Sequence, residues 1–325
     1  MKLPTLSELQ SAAELVHSVM PATPQIRWPL LCQRVGAEVW VKHENHTPVG
    51  AFKVRGGIVY MDALRRRQPG IKGVIAATRG NHGQSVVFAA ARSGLRSVIV
   101  VPHGNSVEKN AAMRALGAEL VEFGRDFQEA YEYAQSLAEE QKLHLIRSFD
   151  ADLLAGVGSY AVELFGAVPE LDGVYVPIGM GSGLCSVIAA RNGLGLRTEV
   201  IGVVAAEAPS YALSFTAGRA VNSTAGQTIA DGMACRTPDP DAVEVMLRGA
   251  SRIVTVQEAE IRNAMRYLFA DTHNVAEGAG AAGLAALMQE QERMRGRRVA
   301  IVVTGGNVDT DVFADVLAGV IPVRA

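Results

Sequence analysis

One lysine in this sequence stands where an amine can do chemistry. Lys53 follows the turn formers Pro48 and Gly50, and it precedes residues 54–67, whose apolar spacing and closing arginines predict a helix. The amine is therefore expected at a loop-to-helix junction, where it can point into a cleft. Because most lysines are solvated surface charges, Lys53 alone does not identify a site, and the sequence that follows must decide.

Three glycine-rich loops follow Lys53, and each comes directly after an apolar run of strand length. They are Thr78-Arg79-Gly80-Asn81-His82, Gly179-Met180-Gly181-Ser182-Gly183-Leu184 and Thr304-Gly305-Gly306-Asn307. The first two open predicted helices, so their backbone N–H groups and the helix dipoles can bind anions. A dinucleotide fingerprint at the second loop would need glycine at position 184, where Leu184 stands. The first and third loops, taken alone, are also explained by a simple turn.

The segment Ala51-Phe52-Lys53-Val54-Arg55-Gly56-Gly57 resembles the Ser-Phe-Lys-x-Arg-Gly-Ala signature of fold type II pyridoxal-phosphate enzymes, the serine/threonine dehydratase (ammonia-lyase) family. The three loops resemble, in the same order, that family's Ser-Ser-Gly-Asn-His-Ala-Gln-Gly, tetraglycine and Ser-Gly-Gly-Asn motifs. Weaker matches at 149–159, 228–232 and 277–281 extend the resemblance over about residues 20–310. Together the motifs make a chance match very improbable.

The resemblance implies a role for each matched residue. Lys53 would hold pyridoxal 5′-phosphate as a Schiff base and act as the catalytic residue. The other cofactor-binding residues would be Phe52, Asn81, Gly179, Met180, Gly181, Ser182, Gly183, Leu184 and Thr304, the last through a hydroxyl at the pyridine nitrogen. The residues that would bind the substrate are Thr78, Arg79, Gly80, Asn81 and His82.

The chain departs from the family pattern at several positions. Arg79 stands where the family usually has a second serine, and the 179–184 loop has one extra residue. Glu207 occupies the place of a structural-cation ligand, but its usual partner six residues on is Leu213. Since a hard divalent cation needs several oxygen ligands, we expect no Mg²⁺ there. A K⁺ held by backbone carbonyls remains open, and Glu207 is equally consistent with a plain surface charge.

Composition excludes several classes of protein. A net charge of −2 over 325 residues gives no basic surface for nucleic acid. Three widely spaced cysteines fit a reducing compartment and argue against a disulfide framework or a zinc site. Neither a signal peptide nor an apolar run long enough for a membrane span is found. We therefore expect a cytoplasmic enzyme with a small amino-acid substrate, and the family resemblance implies a homodimer.

Strands alternate with helices along most of the chain, which predicts an α/β protein with parallel sheets. The resemblance implies a tryptophan synthase β-like fold, with two open twisted parallel-sheet domains and the cofactor in the cleft between them. We expect a small domain at 75–150 and a large domain from 1–74 and 151–325. Residues 7–20 and 281–295 read as helices, whereas 211–240 has no clear period.

The expected reaction follows from Thr304. An aspartate at the pyridine nitrogen would keep the ring protonated, but a neutral hydroxyl does not, and this favours β-elimination over transamination. We therefore expect a dehydratase that converts an L-3-hydroxy amino acid to a 2-oxo acid and ammonia. Threonine, serine, phenylserine and hydroxyaspartate dehydratases and the hydroxyectoine-utilisation dehydratase are all candidates. An amino-acid racemase and a non-catalytic ligand-binding protein with the same fold remain alternatives.

Overall fold

A computed structural model describes residues 1–224 and 226–319. The strands in that part are β1 (Gln25–Arg27), β2 (Glu38–His43), β3 (Gly73–Ala77), β4 (Arg96–Val101), β5 (Glu119–Glu122), β6 (His144–Leu145), β7 (Gly173–Pro177), β8 (Glu199–Ala205), β9 (Arg252–Val256) and β10 (Arg298–Val303). The helices are α1 (Leu6–His17), α2 (Pro29–Val35), α3 (Lys53–Arg67), α4 (Asn81–Arg92), α5 (Val107–Ala115), α6 (Phe127–Gln141), α7 (Ala151–Ala167), α8 (Ser182–Gly193), α9 (Ser210–Ala217), α10 (Pro240–Gly249), α11 (Glu258–Thr272), α12 (Gly278–Gln289), α13 (Gln291–Met294) and α14 (Thr310–Leu317).

The larger sheet has six strands in the order β1-β2-β10-β7-β8-β9, and all are parallel except β1. Val174 at its centre lies opposite Ala300 on one side and Val200 on the other. Helices α1, α7, α8 and α10 cover one face, and α2, α11 and α12 cover the other. Because both faces are covered, its central strands are continuous apolar runs rather than alternating ones.

The smaller sheet has four parallel strands in the order β5-β4-β3-β6. Helices α3, α4 and α5 pack on one face and α6 packs on the other. The two sheets therefore have separate cores, and the expected α/β class with parallel sheets is confirmed. The boundaries proposed for the two domains stay predictions.

The structure corrects the expected helix bounds in three places. Helix α1 begins at Leu6, because the Thr5 side chain and Glu8 form a capping box at its start. The stretch 211–240, predicted to be irregular, contains most of α9. The single helix predicted at 281–295 is two helices, α12 and α13, which meet at Glu290.

Helix α7 was not predicted, and its glycines lower the helix propensity of this segment. Gly156 lies so close to α3 that a Cβ atom there would stand 2.3 Å from the carbonyl oxygen of Arg55. The glycine therefore allows close packing of two helices and does not mark a turn. This contact holds α3, which begins at Lys53, against the large core.

None of the helices in 1–224 and 226–319 is both long and apolar enough to cross a membrane.

Candidate active site

Four loops that follow parallel strands meet at one edge of the two sheets. The loop before Lys53 follows β2, the loop 78–80 follows β3, the loop 178–181 follows β7, and the loop at 304–307 follows β10. The carboxyl ends of parallel strands are the usual place for ligand sites in open α/β sheets. Here they surround a cavity of about 510 Å³.

Lys53 is the first residue of α3, and its amine faces this cavity. Its Nζ donates a hydrogen bond of 2.9 Å to Ser182 Oγ, and no carboxylate in the described chain pairs with it. Burial of the amine lowers the pKa of Lys53 to about 8. A substantial fraction of the amine is therefore neutral near pH 8, as a nucleophile or general base requires.

Thr304 lies beside the lysine loop. The backbone N–H of Phe52 donates to the Thr304 carbonyl at 3.0 Å, and the N–H of Gly306 donates to the Gly50 carbonyl at 2.9 Å. The Thr304 side chain is buried in the cavity wall. These backbone bonds fix the loop at 304–307 against the loop that carries Lys53.

Asn81 is held by two side chains from distant parts of the chain. Its Nδ2 donates to Glu277 Oε1 at 2.6 Å, and its Oδ1 accepts from Asn307 Nδ2 at 2.9 Å. The orientation of the Asn81 amide is therefore fixed, with one N–H left for a ligand.

The start of α8 is an anion cradle. The backbone N–H groups of Ser182, Gly183 and Leu184 meet no acceptor within the described chain, and no side chain caps the helix. Gly181 has a φ of 98°, which favours glycine. The space and the aligned N–H groups fit a phosphate at a helix N-terminus.

The start of α4 is a second, smaller cradle. Thr78 Oγ1 accepts from the N–H groups of Gly80 and Gly83 at 2.9 and 3.2 Å. The N–H groups of Asn81 and His82 meet no acceptor in 1–224 and 226–319. These two donors fit a carboxylate.

His82 has a neutral imidazole that faces the cavity. Burial and the nearby Lys53 amine lower the pKa of His82 to about 3, although the Ile146 carbonyl partly opposes this. Its Nε2 is buried and has no partner in the described chain. A neutral ring gives no positive charge to a carboxylate, so the predicted role of His82 in substrate binding falls to its backbone N–H.

Sequence reasoning missed a buried ion cluster across the cleft. Lys109 of α5 lies 2.7 Å from an Asp231 carboxylate oxygen and 3.1 Å from Glu277 Oε2. Burial opposes the charge on Lys109, but the two carboxylates outweigh it and raise its pKa. Nothing local in the sequence marks Lys109, because its partners lie far along the chain.

Arg79 differs from the other cations of the cavity wall. Arg147 pairs with Asp239 at 3.3 Å, and Arg236 pairs with Asp126 at 2.6 Å. Arg79 is partly buried and has no carboxylate partner among the described residues. Its positive charge is therefore available to a ligand.

The structure brings nearly all the predicted site residues into one cavity wall. Leu184 is an exception, since its side chain packs in the core and only its N–H belongs to the group of free donors at the start of α8. Glu207 does not line the cavity, and no cluster of three or more metal-ligating side chains was found in 1–224 and 226–319. The residue roles and the cation question stay predictions.

A family model described as "Pyridoxal-phosphate dependent enzyme" matches residues 18–305. The chain belongs to this family. The cradle at α8 and the buried amine of Lys53 fit the cofactor that gives the family its name. The expected family, fold and cofactor are therefore confirmed.

The named relatives, together with the family, confirm the expected pyridoxal-phosphate-dependent lyase. The chain is 33% identical over 313 residues to an L-threonine ammonia-lyase from Thermotoga maritima, covering 95% of this chain and 77% of that protein. It is 32% identical over 320 residues to an L-threo-3-hydroxyaspartate ammonia-lyase from a Pseudomonas species, covering 98% and 100%. A crystal structure of a pyridoxal 5′-phosphate-dependent aspartate racemase is also similar, with a TM-score of 0.90, 27% identity and coverage of 96% and 98%.

Proposed function

We propose that the protein dehydrates an L-3-hydroxy amino acid to a 2-oxo acid and ammonia. The observation that carries the proposal is one cavity that holds both a lysine amine of lowered pKa and the hydroxyl of Thr304. Relatives named as ammonia-lyases of threonine and of 3-hydroxyaspartate support the same reaction class.

Lys53, Thr304 and the start of α8 would have different roles in this reaction. Pyridoxal 5′-phosphate, when bound, supplies an electron sink for the charge left at the substrate Cα. Lys53 would hold the cofactor, and its freed amine would remove the α-proton, for which a pKa near 8 is well suited. Thr304 offers a neutral hydroxyl and no negative charge, a setting that favours loss of the β-hydroxyl. The N–H groups at the start of α8 would bind the cofactor phosphate.

The substrate would be oriented by the start of α4. The N–H groups of Asn81 and His82 would bind its α-carboxylate, which leaves the Arg79 guanidinium for the side chain. A guanidinium binds a second carboxylate bidentately or stacks on an aromatic ring. Phe127 and Tyr131, stacked with ring centroids 6.1 Å apart, also line the cavity and would suit an aromatic substrate.

The racemase alternative is supported by the similarity to an aspartate racemase. A racemase needs an acid–base group on each face of the cofactor, and Lys53 serves only one. Arg79 holds the position where related racemases have the second serine. Because a guanidinium has a pKa above about 12, it is no base at neutral pH. The dehydratase is therefore the better-supported reading.

The test is a substrate panel with the cofactor-loaded protein. L-Threonine, L-serine, L-threo-phenylserine and L-threo-3-hydroxyaspartate are each incubated, and 2-oxo acid and ammonia are measured. We expect equimolar release of both from at least one substrate, and none from Lys53→Ala. Formation of the D-isomer or α-epimer without 2-oxo acid would favour the racemase. Binding of amino acids without any product would favour the non-catalytic alternative.

The homodimer implied by the resemblance and the cytoplasmic location expected from the composition stay predictions. Light scattering of the purified protein tests the first, and fractionation of the source cells tests the second.

A further inference from the structure

The hydrogen bond between Lys53 Nζ and Ser182 Oγ, 2.9 Å long, connects two loops that are 129 positions apart in the chain. It is the only hydrogen bond of the Lys53 amine within residues 1–224 and 226–319. Ser182 is the first residue of α8 and is 2% exposed, so its hydroxyl has little competition from water. A glycine at this position, as in a tetraglycine loop, would leave the amine without this partner.

The chemistry of a hydroxyl suits an amine that changes its protonation state. A serine hydroxyl accepts a hydrogen bond from an ammonium and donates one to a neutral amine. His82 Nε2, which is buried without a partner in the described chain, carries a lone pair on the neutral ring and can only accept. We propose that Ser182 is a positioning residue that holds Lys53 Nζ in both protonation states while the amine moves the substrate α-proton.

This proposal rests on the proposed function only in taking Lys53 as the reactive amine. Its rival is that Ser182 serves the cofactor phosphate alone. The backbone N–H of Ser182 is already available for the phosphate, so the side chain is not needed for that contact. The two roles differ in the apoprotein, where no phosphate is present and the bond to Lys53 remains.

Several charged groups of the cavity wall are paired with one another, among them Arg147 with Asp239 and Arg236 with Asp126. His82 of α4 is neutral, and the Lys109 amine of α5 is paired with Asp231 and Glu277. Arg79 is the remaining cation of the wall without a carboxylate partner in the described chain. A substitution at Ser182 alters none of these groups. A change in the apparent pKa of Lys53 in Ser182→Ala would therefore be due to the loss of the hydroxyl.

The first test titrates Lys53 in the full-length apoprotein. The rate at which trace acetic anhydride labels Lys53 is measured against pH by peptide mass spectrometry, for the wild type, Ser182→Ala and Ser182→Thr. We expect the apparent pKa of Lys53 to fall by about half a unit or more in Ser182→Ala, since the ammonium loses a charge-assisted bond. Ser182→Thr keeps the hydroxyl and should titrate like the wild type. Equal titration of all three proteins would overturn the proposal.

The second test uses the holoenzyme at saturating cofactor. Ser182→Ala should lower kcat roughly 10- to 100-fold with little change in KM, because the misplaced amine transfers the proton poorly. Weaker cofactor binding with normal kcat would mean that Ser182 serves only the phosphate, which also overturns the proposal. If no variant, including the wild type, releases 2-oxo acid, the proposed function fails while the apoprotein titration still decides the role of Ser182.

Discussion

Asn81 and Glu277 are 196 positions apart in the chain, yet Asn81 Nδ2 donates to Glu277 Oε1 at 2.6 Å in the cavity wall. Glu277 also faces Lys109 at 3.1 Å, so one carboxylate connects the start of α4 with α5. The orientation of the Asn81 amide in the cavity therefore depends on a residue from a distant part of the sequence.

We predict that Glu277→Ala weakens cofactor binding roughly 10-fold or more, because a hydrogen bond to a charged group contributes about 1.5–3 kcal/mol. Titration of the apoprotein with pyridoxal 5′-phosphate measures the change. Glu292→Ala is the matched control, since that glutamate is 81% exposed. Unchanged affinity in Glu277→Ala would mean that Asn81 does not contact the cofactor or needs no support.

Thr304→Asp should lower β-elimination and increase transamination. A carboxylate at the pyridine nitrogen would stabilise its protonated form, which the Thr304 hydroxyl does not. Chromatography of the products measures the ratio of 2-oxo acid to pyridoxamine phosphate, with Thr304→Ser as the hydroxyl-keeping control. The same ratio in Thr304→Asp as in the wild type would place Thr304 away from the pyridine nitrogen.

Arg79 should prevent racemisation. Because a guanidinium is no base at neutral pH, we expect wild-type enzyme in deuterated water to give negligible D-serine or α-epimer of threonine carrying α-deuterium. Arg79→Ser should weaken use of the true substrate and admit exchange on the second face. Chiral chromatography with mass detection measures both, and substantial deuterated D-isomer from the wild type would favour the racemase.

A buried charge network behind the active site should control stability. Arg55, which is fully buried, donates to Glu44 at 2.7 Å and to Glu163 at 2.6 Å, and Lys42 donates to Glu163 at 2.5 Å. Breaking such a network by removing one partner costs about 3–5 kcal/mol. We expect Arg55→Met to lower the free energy of unfolding by that amount in urea denaturation, whereas Arg66→Met, which is 72% exposed on the same helix, should change it little.

The same network makes the free energy of unfolding depend on pH. Burial opposes the charge on Glu163, but Arg55 and Lys42 lower its pKa to about 2, from 4.5. The folded state therefore holds fewer protons than the unfolded state, and the stabilisation present above pH 4.5 is lost as pH falls toward 2. In Glu163→Gln this acid-sensitive part of the unfolding curve should disappear. An unchanged slope between those values would contradict the ion pairing of Glu163.

The loops of the site could be predicted from sequence because their chemistry is local. Asn81 and Thr304 lie in short motifs directly after apolar strands, Lys53 lies at the end of the loop that follows β2, and parallel strands bring their carboxyl ends together. The residues that support them could not be predicted in the same way. Lys109 is defined only by contacts with distant segments, and nothing in its immediate sequence distinguishes it from a surface charge. Glu277 lies in the weak match at 277–281, but its contacts with Asn81 and Lys109 could not be read from that motif.

Helix α7 shows the limit of local reasoning in the fold. Gly156 and Gly158 weaken the helical pattern of the sequence. Their lack of a side chain is explained by packing, because α3 lies close to Gly156 and α1 lies close to Gly158. Tertiary packing therefore overrides a low intrinsic helix propensity there. Helix α9 was not predicted either, because it is short and follows a proline-containing turn at 208–209.

The central claim is that Lys53 binds pyridoxal 5′-phosphate and carries the chemistry. Its most direct test is peptide mass spectrometry of the holoenzyme after borohydride reduction, with the visible absorbance recorded before and after. We expect loss of the absorbance and a phosphopyridoxyl group on the peptide that contains Lys53, with none on peptides containing Lys72 or Lys109. Labelling of another lysine, or full turnover in Lys53→Ala without added amine, would contradict the account.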